Sequence, residues 1–298
     1  MKNKMAILED FNSLFEYLRK EGKINDLNSY KKDFSAFLLH ANHIKAYDFV
    51  APLCKGKRVL DVGCFIGYGE KVLADCAKEV IAIDSDDKAL EFAARNVFGT
   101  HIKFEKVDAE RLPFYDESFD ITIAFQLIEH IPPKQVNKFL CEAKRVLKKG
   151  GLLFITTPNR KFRLLPFQRP FNPEHYQEFT AKRLFKTLKV FFDEVQIKAV
   201  RARGWIEEIE RRRVRKSLYR AYIRTPAIGF LKVACPARIK RLLKKYKRKK
   251  IKSSQRDVVM SEYSSEFDNL FQKFSMDVFS LEERMLDKSM SLFAICKK

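Results

Sequence analysis

Residues Arg58 to Gly69 read RVLDVGCFIGYG. Apolar residues suited to a buried strand run into Asp61 and then into a turn carrying Gly63, Gly67 and Gly69. A helical pattern opens at once with Glu70, Lys71, Val72, Leu73 and Ala74. A strand that feeds a glycine turn and opens a helix brings main chain close to a nucleotide-like ligand. The spacing is not the G-x-G-x-x-G of dinucleotide folds, because position 65 is Phe. Two further carboxylates follow at strand ends. Asp84 lies 21 residues beyond Gly63, where a carboxylate accepts hydrogen bonds from ribose hydroxyls. Asp108-Ala109 follows the third strand, where a carboxylate and adjacent backbone N–H groups can read an adenine edge. Together they describe an adenosine pocket with no diphosphate requirement.

Outward from this turn, short apolar runs alternate with helical periods. The pattern predicts strands at Arg58–Gly63, Glu79–Asp84, Ile102–Asp108, Phe119–Gln126, Gly151–Pro158, Asp193–Val200 and, after a long break, Ser289–Lys297. Helices are predicted at Glu70–Ala77, Asp86–Val97, Pro133–Leu147 and Thr180–Phe191. Val136, Phe139, Leu140, Ala143 and Leu147 give the third of these one apolar face. Such alternation implies right-handed crossovers and a parallel sheet covered on both faces. Upstream, Phe11, Leu14, Phe15 and Leu18 follow helical spacing, so the N-terminal region reads as helices packed on the core.

The net charge of +21 is concentrated in one place. Residues 1–160 hold 25 Lys+Arg against 23 Asp+Glu, whereas 201–252 hold 20 against 3. A local anionic partner fits that distribution better than a generally basic protein. The six cysteines form no C-x-x-C pair and no histidines cluster in sequence, which argues against a disulfide framework or a metal site and for a reducing cytoplasm. Acidic residues near the N-terminus do not suit a signal peptide, and no run reaches the roughly 18 apolar residues of a membrane span.

Five segments, in order, resemble class I S-adenosylmethionine-dependent methyltransferases. DVGCFIGYG from Asp61 resembles the first motif, IAIDSD from Ile81 the second-strand motif, and KVDAERLPFYDESFD from Lys106 the adenine loop. AFQLIEHI from Ala124 resembles the segment after the fourth strand, and RVLKKGGLLFITTPNR from Arg145 the helix–glycine–strand segment. HIKAYDFVAPL from His43 and FNPEHYQEFT from Phe171 resemble more narrowly a branch (types 11 and 23) that modifies glycans, lipids and other small molecules. The resemblance implies a Rossmann-like α/β fold with a seven-stranded, mostly parallel sheet and an antiparallel last strand. It implies an N-terminal helical cap over residues 1–43, a cofactor core at 44–200, a basic helical insertion at 201–270 and a completing segment at 271–298. Carried over by position, Asp61, Gly63, Cys64 and Gly67 hold the methionine end of S-adenosylmethionine. Asp84 and Ser85 take the ribose, Asp108 and Ala109 the adenine, and Gln126 lies beside the sulfonium. His43 and Tyr47, one helical turn apart, either close over the cofactor or make a plain core contact. Phe65 stands where the family has glycine. Either the cofactor is held further from the main chain, or the ring packs beneath the turn.

Methyl transfer to a hydroxyl needs alignment in a dry pocket and a base near neutral pKa. His130, after Glu129 and past the fourth strand, and His175, in the loop after the fifth strand with Glu174 and Glu178 nearby, are the candidates. His130 also reads as a helix-capping residue. The expected reaction is O-methylation of a sugar, a lipid-linked glycan or another small-molecule hydroxyl. The rivals are a tRNA or rRNA methyltransferase gripping nucleic acid with the basic insertion, and a non-catalytic cofactor-binding module. FQLIEHI is not the N/D-P-P-Y type of sequence that resembles base-amino methylation, and no Pro-Cys nucleophile stands there. RRRVRK from Arg211 and RIKRLLKKYKRKK from Arg238 bracket the apolar AIGFLKVAC, with Leu242, Leu243 and Tyr246 on one helical face. Cations around apolar residues suit an anionic membrane surface across residues 211–250, so a cytoplasmic, peripherally membrane-bound enzyme is expected. Phosphates of RNA are the less favoured partner.

Overall fold

The computed structural model describes residues 4–21, 34–164, 168–170, 172–202, 204–219, 269–271, 273–284 and 286–298. Its centre is an eight-stranded sheet of order β3-β2-β1-β4-β5-β8-β6-β7. The strands are β1 (Arg58–Val62), β2 (Glu79–Asp84), β3 (Ile102–Lys106), β4 (Phe119–Phe125), β5 (Leu147–Pro158), β6 (Glu194–Ala202), β7 (Phe279–Glu282) and β8 (Ser291–Lys297). Strands β1 to β5 pair parallel, and β8 runs antiparallel between β5 and β6. The expected seven strands are all present. The eighth, β7, pairs antiparallel with the edge of β6 from Ala199 to Ala202 and carries no long apolar run that would announce it.

Alternation along the strands sorts the core into two layers, because successive strand side chains point to opposite faces. Val59, Val80, Ala82, Ile121, Ile123, Phe125, Phe154 and Phe293 share one layer with the N-terminal helices α1 (Lys4–Lys20) and α2 (Phe34–Cys54). Leu60, Ile81, Ile83, Ala124, Leu153, Ile155, Leu292 and Ala294 share the other with α5 (Val136–Val146) and α7 (Ala181–Lys189). The apolar face of α5 is the predicted one, except that Leu147 already opens β5. Short α3 (Glu70–Leu73) and α4 (Asp87–Asn96) follow β1 and β2, and α6 (Arg160–Arg163) follows β5. Helix α4 is capped by Asp86, whose side chain accepts from the N–H groups of Lys88 and Ala89.

The chain leaves β1 toward β2 and β3, then returns on the other side as β4. Loops from β1 and β4 therefore diverge, opening a crevice at the carboxyl ends of the strands. Helix α8 (Trp205–Tyr219) begins the basic segment, and two of its arginines pair within the helix, Arg211 with Glu207 at 2.6 Å and Arg212 with Glu208 at 3.0 Å. Pro226, Pro236, the AIGFLKVAC stretch and Arg238 to Lys250 lie outside the described residues. No helix among the described residues is long and apolar enough to cross a membrane.

Candidate active site

The turn after β1 is held from three sides. Gly63 donates its N–H to Ile83 O at 2.8 Å and takes φ +81, in the left-handed region. Gly67, at φ +80, packs on α4 so closely that a Cβ would lie 2.9 Å from both Ala93 and Val97. Gly69 serves the helical cap instead: a Cβ there would fall 2.1 Å from the Tyr47 ring. Phe65 takes a left-handed backbone, with φ 51, at a steric cost of about 1–2 kcal/mol for a residue with a side chain. Its N–H donates to Asp84 Oδ2 at 2.9 Å, and its ring meets Tyr17 edge-on at 5.3 Å. Tyr17 in turn touches Phe92 at 5.5 Å and donates to Asp86 Oδ2 at 2.9 Å. The ring thus packs against Tyr17 of α1, beside Phe92 of α4.

Asp84 sits at the end of β2 with both oxygens oriented, Oδ2 by Phe65 and Oδ1 by the N–H of Asp86 at 3.0 Å. Each oxygen retains a lone pair for a ribose hydroxyl. Ser85 and Asp108 are exposed, and Asp108 Oδ1 accepts from the Glu110 N–H at 2.9 Å, which fixes the loop beside half-buried Ala109. Gln126 ends β4 at φ 53 and donates its backbone N–H to Thr156 O at 2.9 Å. The strained residues Phe65 and Gln126 therefore stand just beyond the carboxyl ends of β1 and β4, which flank the crevice. Asp61 is fully buried and accepts from Tyr47 Oη at 2.8 Å, while its Oδ1 has no donor. Burial raises its carboxyl to about 6. His43 lies beside Tyr68, ring centroids 6.5 Å apart, with Nε2 unpartnered. Burial, then the Arg163 charge, lowers its pKa to about 4, so it is neutral at pH 7. Cys64 is buried and its thiol is pushed well up by desolvation, as befits packing.

Across the crevice, the two histidines meet. The Glu129 carbonyl accepts the N–H groups of Tyr176 at 3.0 Å and Gln177 at 3.4 Å, stitching the loop after β4 to the loop before α7. This brings the His130 and His175 rings to 4.7 Å, nearly perpendicular at 87°. His175 Nδ1 lies 3.2 Å from Glu178 Oε1, and Arg163 Nη1 lies 3.5 Å from the same oxygen. With Nδ1–H donating to that carboxylate, Nε2 is left as the acceptor. Glu129 is buried, accepts from Thr157 Oγ1 at 2.9 Å, and is raised to about 8 chiefly by desolvation. Desolvation, then His175, lowers the pKa of His130, which keeps its imidazole neutral at pH 7. The helix-capping reading of His130 does not hold, since α5 is capped at Gln135 and His130 donates its N–H to Leu127 O at 2.8 Å. Glu129, His130 and His175 also offer one ligand atom each within 4.8 Å of one another, an arrangement open to a cation. Leu127 joins the two halves: its Cδ1 is 3.1 Å from where a Gly63 Cβ would sit.

Fold and crevice together define a Rossmann-like domain built for an adenosyl ligand. The family described as a methyltransferase domain matches residues 60–155. A "Probable S-adenosylmethionine-dependent methyltransferase" of Mycobacterium tuberculosis is 34% identical over 146 residues, 49% of this chain and 52% of the relative. A ubiquinone biosynthesis O-methyltransferase of Sinorhizobium fredii is 32% identical over 108 residues, 36% of this chain and 43% of the relative. A solved S-adenosylmethionine-dependent methyltransferase from Thermotoga maritima shares the fold, with TM-score 0.52 and 15% identity over 91% of this chain and 97% of that one. The chain spans about half the length of the curated relatives it matches. It carries a methyltransferase domain of the class I family, whose cofactor is S-adenosylmethionine. Glu70 and Tyr17 escaped the sequence reading: an acid opening a helix ordinarily faces water, and nothing local marks Tyr17 as a neighbour of the turn.

Proposed function

We propose that this chain methylates a hydroxyl group of a small-molecule acceptor. The observation that carries the reading is the convergence of His130 and His175, backed by the buried carboxyls of Glu129 and Glu178, across the crevice from the glycine turn. Asp61, Gly63 and Gly67 would hold the methionine end, Asp84 the ribose, and Asp108 with Ala109 the adenine. The donorless Asp61 Oδ1 fits this assignment, since it suits a cationic group. Bound there, S-adenosylmethionine supplies an electrophilic methyl group on a sulfonium. His130, neutral at pH 7, accepts the acceptor's hydroxyl proton as attack proceeds. His175 fixes the His130 ring edge-on and is itself oriented by Glu178. The relative named as a ubiquinone biosynthesis O-methyltransferase supports oxygen as the acceptor atom. A sugar or lipid-linked glycan is the finer form of the proposal, with its delivery at an anionic membrane surface through residues 211–250.

The test uses labelled methyl-S-adenosylmethionine with a panel of phenols, monosaccharides, extracted glycolipids and tRNA. Alkali-stable ether label in a small-molecule fraction, lost in His130→Ala, is expected. Label entering tRNA alone would overturn the reading. Salt-sensitive pelleting with anionic liposomes, in competition with RNA, checks the membrane partner, and retention by RNA only would remove it.

A further inference from the structure

Glu70 opens α3 directly after the glycine turn, yet it is as fully buried as Asp61. The two carboxyl groups are close neighbours, and each bears directly on the other's charge. Asp61 Oδ2 accepts from Tyr47, whereas Asp61 Oδ1 and both Glu70 oxygens have no hydrogen-bond partner among the described residues. Carboxylates only accept hydrogen bonds, and two of them buried side by side without donors cannot both stay ionised at tolerable cost, so one holds a proton. Among the described residues, the surroundings supply no counter-charge. Tyr47 faces the pair from α2, Tyr68 and Cys64 from the turn, Asp84 from β2 and Cys54 from the end of α2. His43, on the α2 turn before Tyr47, is neutral at pH 7. Lys71, next to Glu70, is drawn to Asp10 at 2.8 Å. Burial pushes both carboxyls upward, Asp61 to about 6 and Glu70 well above its ordinary value.

We propose that Asp61 and Glu70 form a cation-receiving pair that shares one proton in the free protein and releases it when the α-ammonium of the cofactor's methionine end arrives. The inference rests on the cofactor reading above. A buried dianion without a cation is prohibitively costly, whereas a dianion beside an ammonium is compensated. The balance is simple: the carboxyl O–H breaks, its proton passes to buffer, and the ammonium takes over the hydrogen bonds. Glu70 is thus a positioning residue for cofactor charge, which the motif around Asp61 alone does not specify.

The experiment is calorimetric titration of the intact wild-type chain at about pH 7 in phosphate and in Tris, whose ionisation enthalpies differ widely. The dependence of binding heat on buffer counts released protons, and about one is expected for S-adenosylmethionine and for S-adenosylhomocysteine. Methylthioadenosine, which lacks the ammonium, should release none. Glu70→Gln should bind S-adenosylmethionine with no buffer dependence, and the wild-type measurement stands even where that variant fails to fold. Cofactor binding with no proton release, or equal release by methylthioadenosine, would overturn this inference and leave the methyl-transfer proposal intact. Absence of cofactor binding would overturn both.

Discussion

On the β1–β2 side of the crevice, polar groups are set by main chain. Asp84 takes two backbone N–H groups, Gly63 bonds to β2, and Phe65 holds a left-handed conformation against an aromatic neighbour. On the β4–β5 side they are set by one another: Thr157 holds Glu129, and Glu178 holds His175, which stands against His130. The first side is a rigid template, where a lost side chain disturbs affinity. The second is a set of side chains from two loops, where, on the proposed reading, a lost member disturbs proton handling. Binding and turnover should therefore come apart under mutation.

The largest expected effect tests that separation directly. His130→Ala should lose about 10²–10⁴-fold in kcat while cofactor affinity stays within a few-fold, measured by methyl-transfer kinetics and calorimetry. An unchanged kcat would remove His130 as the base. Asp84→Ala is the mirror case. It removes the ribose partner and leaves the Phe65 N–H without its acceptor, so cofactor affinity should fall by about 10²-fold. Intact affinity would mean that Asp84 only shapes the turn.

The pH behaviour of the two sides sharpens the contrast. His130 has a lowered pKa, so kcat/KM should rise with pH to a plateau, with its midpoint below the ordinary histidine value. Glu129 is raised from 4.5 to about 8, so its protonated form is the one the fold favours. The stability it contributes is full below 4.5 and is lost as pH rises through about 8. Glu129→Gln should flatten that decline in thermal melts taken across the window. A wild-type protein whose melting temperature shows no loss over that range relative to Glu129→Gln would contradict the burial argument. Smallest of all, Phe65→Gly relieves a left-handed backbone but gives up the Tyr17 contact, so cofactor affinity should change only a few-fold. A tenfold gain would show that the ring obstructs the site.

The two sides were also unequally readable. The turn, Asp84 and Asp108 were legible because a strand, a turn and a strand end are local, and spacing along the chain fixes their position. The pairing of His130 with His175 was not, since it depends on Glu129 O receiving two N–H groups from a loop some 47 residues further along the chain. Each histidine could be nominated singly; their contact is tertiary. Glu70 was illegible for the opposite reason. Its local context predicts a solvated helix start, and only the cap formed by α2, with Tyr47 lying on Gly69, takes it out of water. The strand β7 was missed because four residues at a sheet edge need no apolar alternation.

Strand β8 has a consequence for how this molecule is made. Among the described strands, Ser291–Lys297 is the seam through which β6 and β7 join β5. During synthesis, β1 to β5 emerge and pair first, and β6 then waits without a neighbour while the intervening chain is translated. Until β8 arrives, β5 and β6 both present raw edges, the kind of surface on which nascent chains stick to one another. Contacts between Leu152 and Lys297 span nearly half the chain, so closing that seam is a slow, late event. A chaperone that shields the β5 edge should raise the yield of folded protein far more than one acting on the glycine turn, which completes itself early.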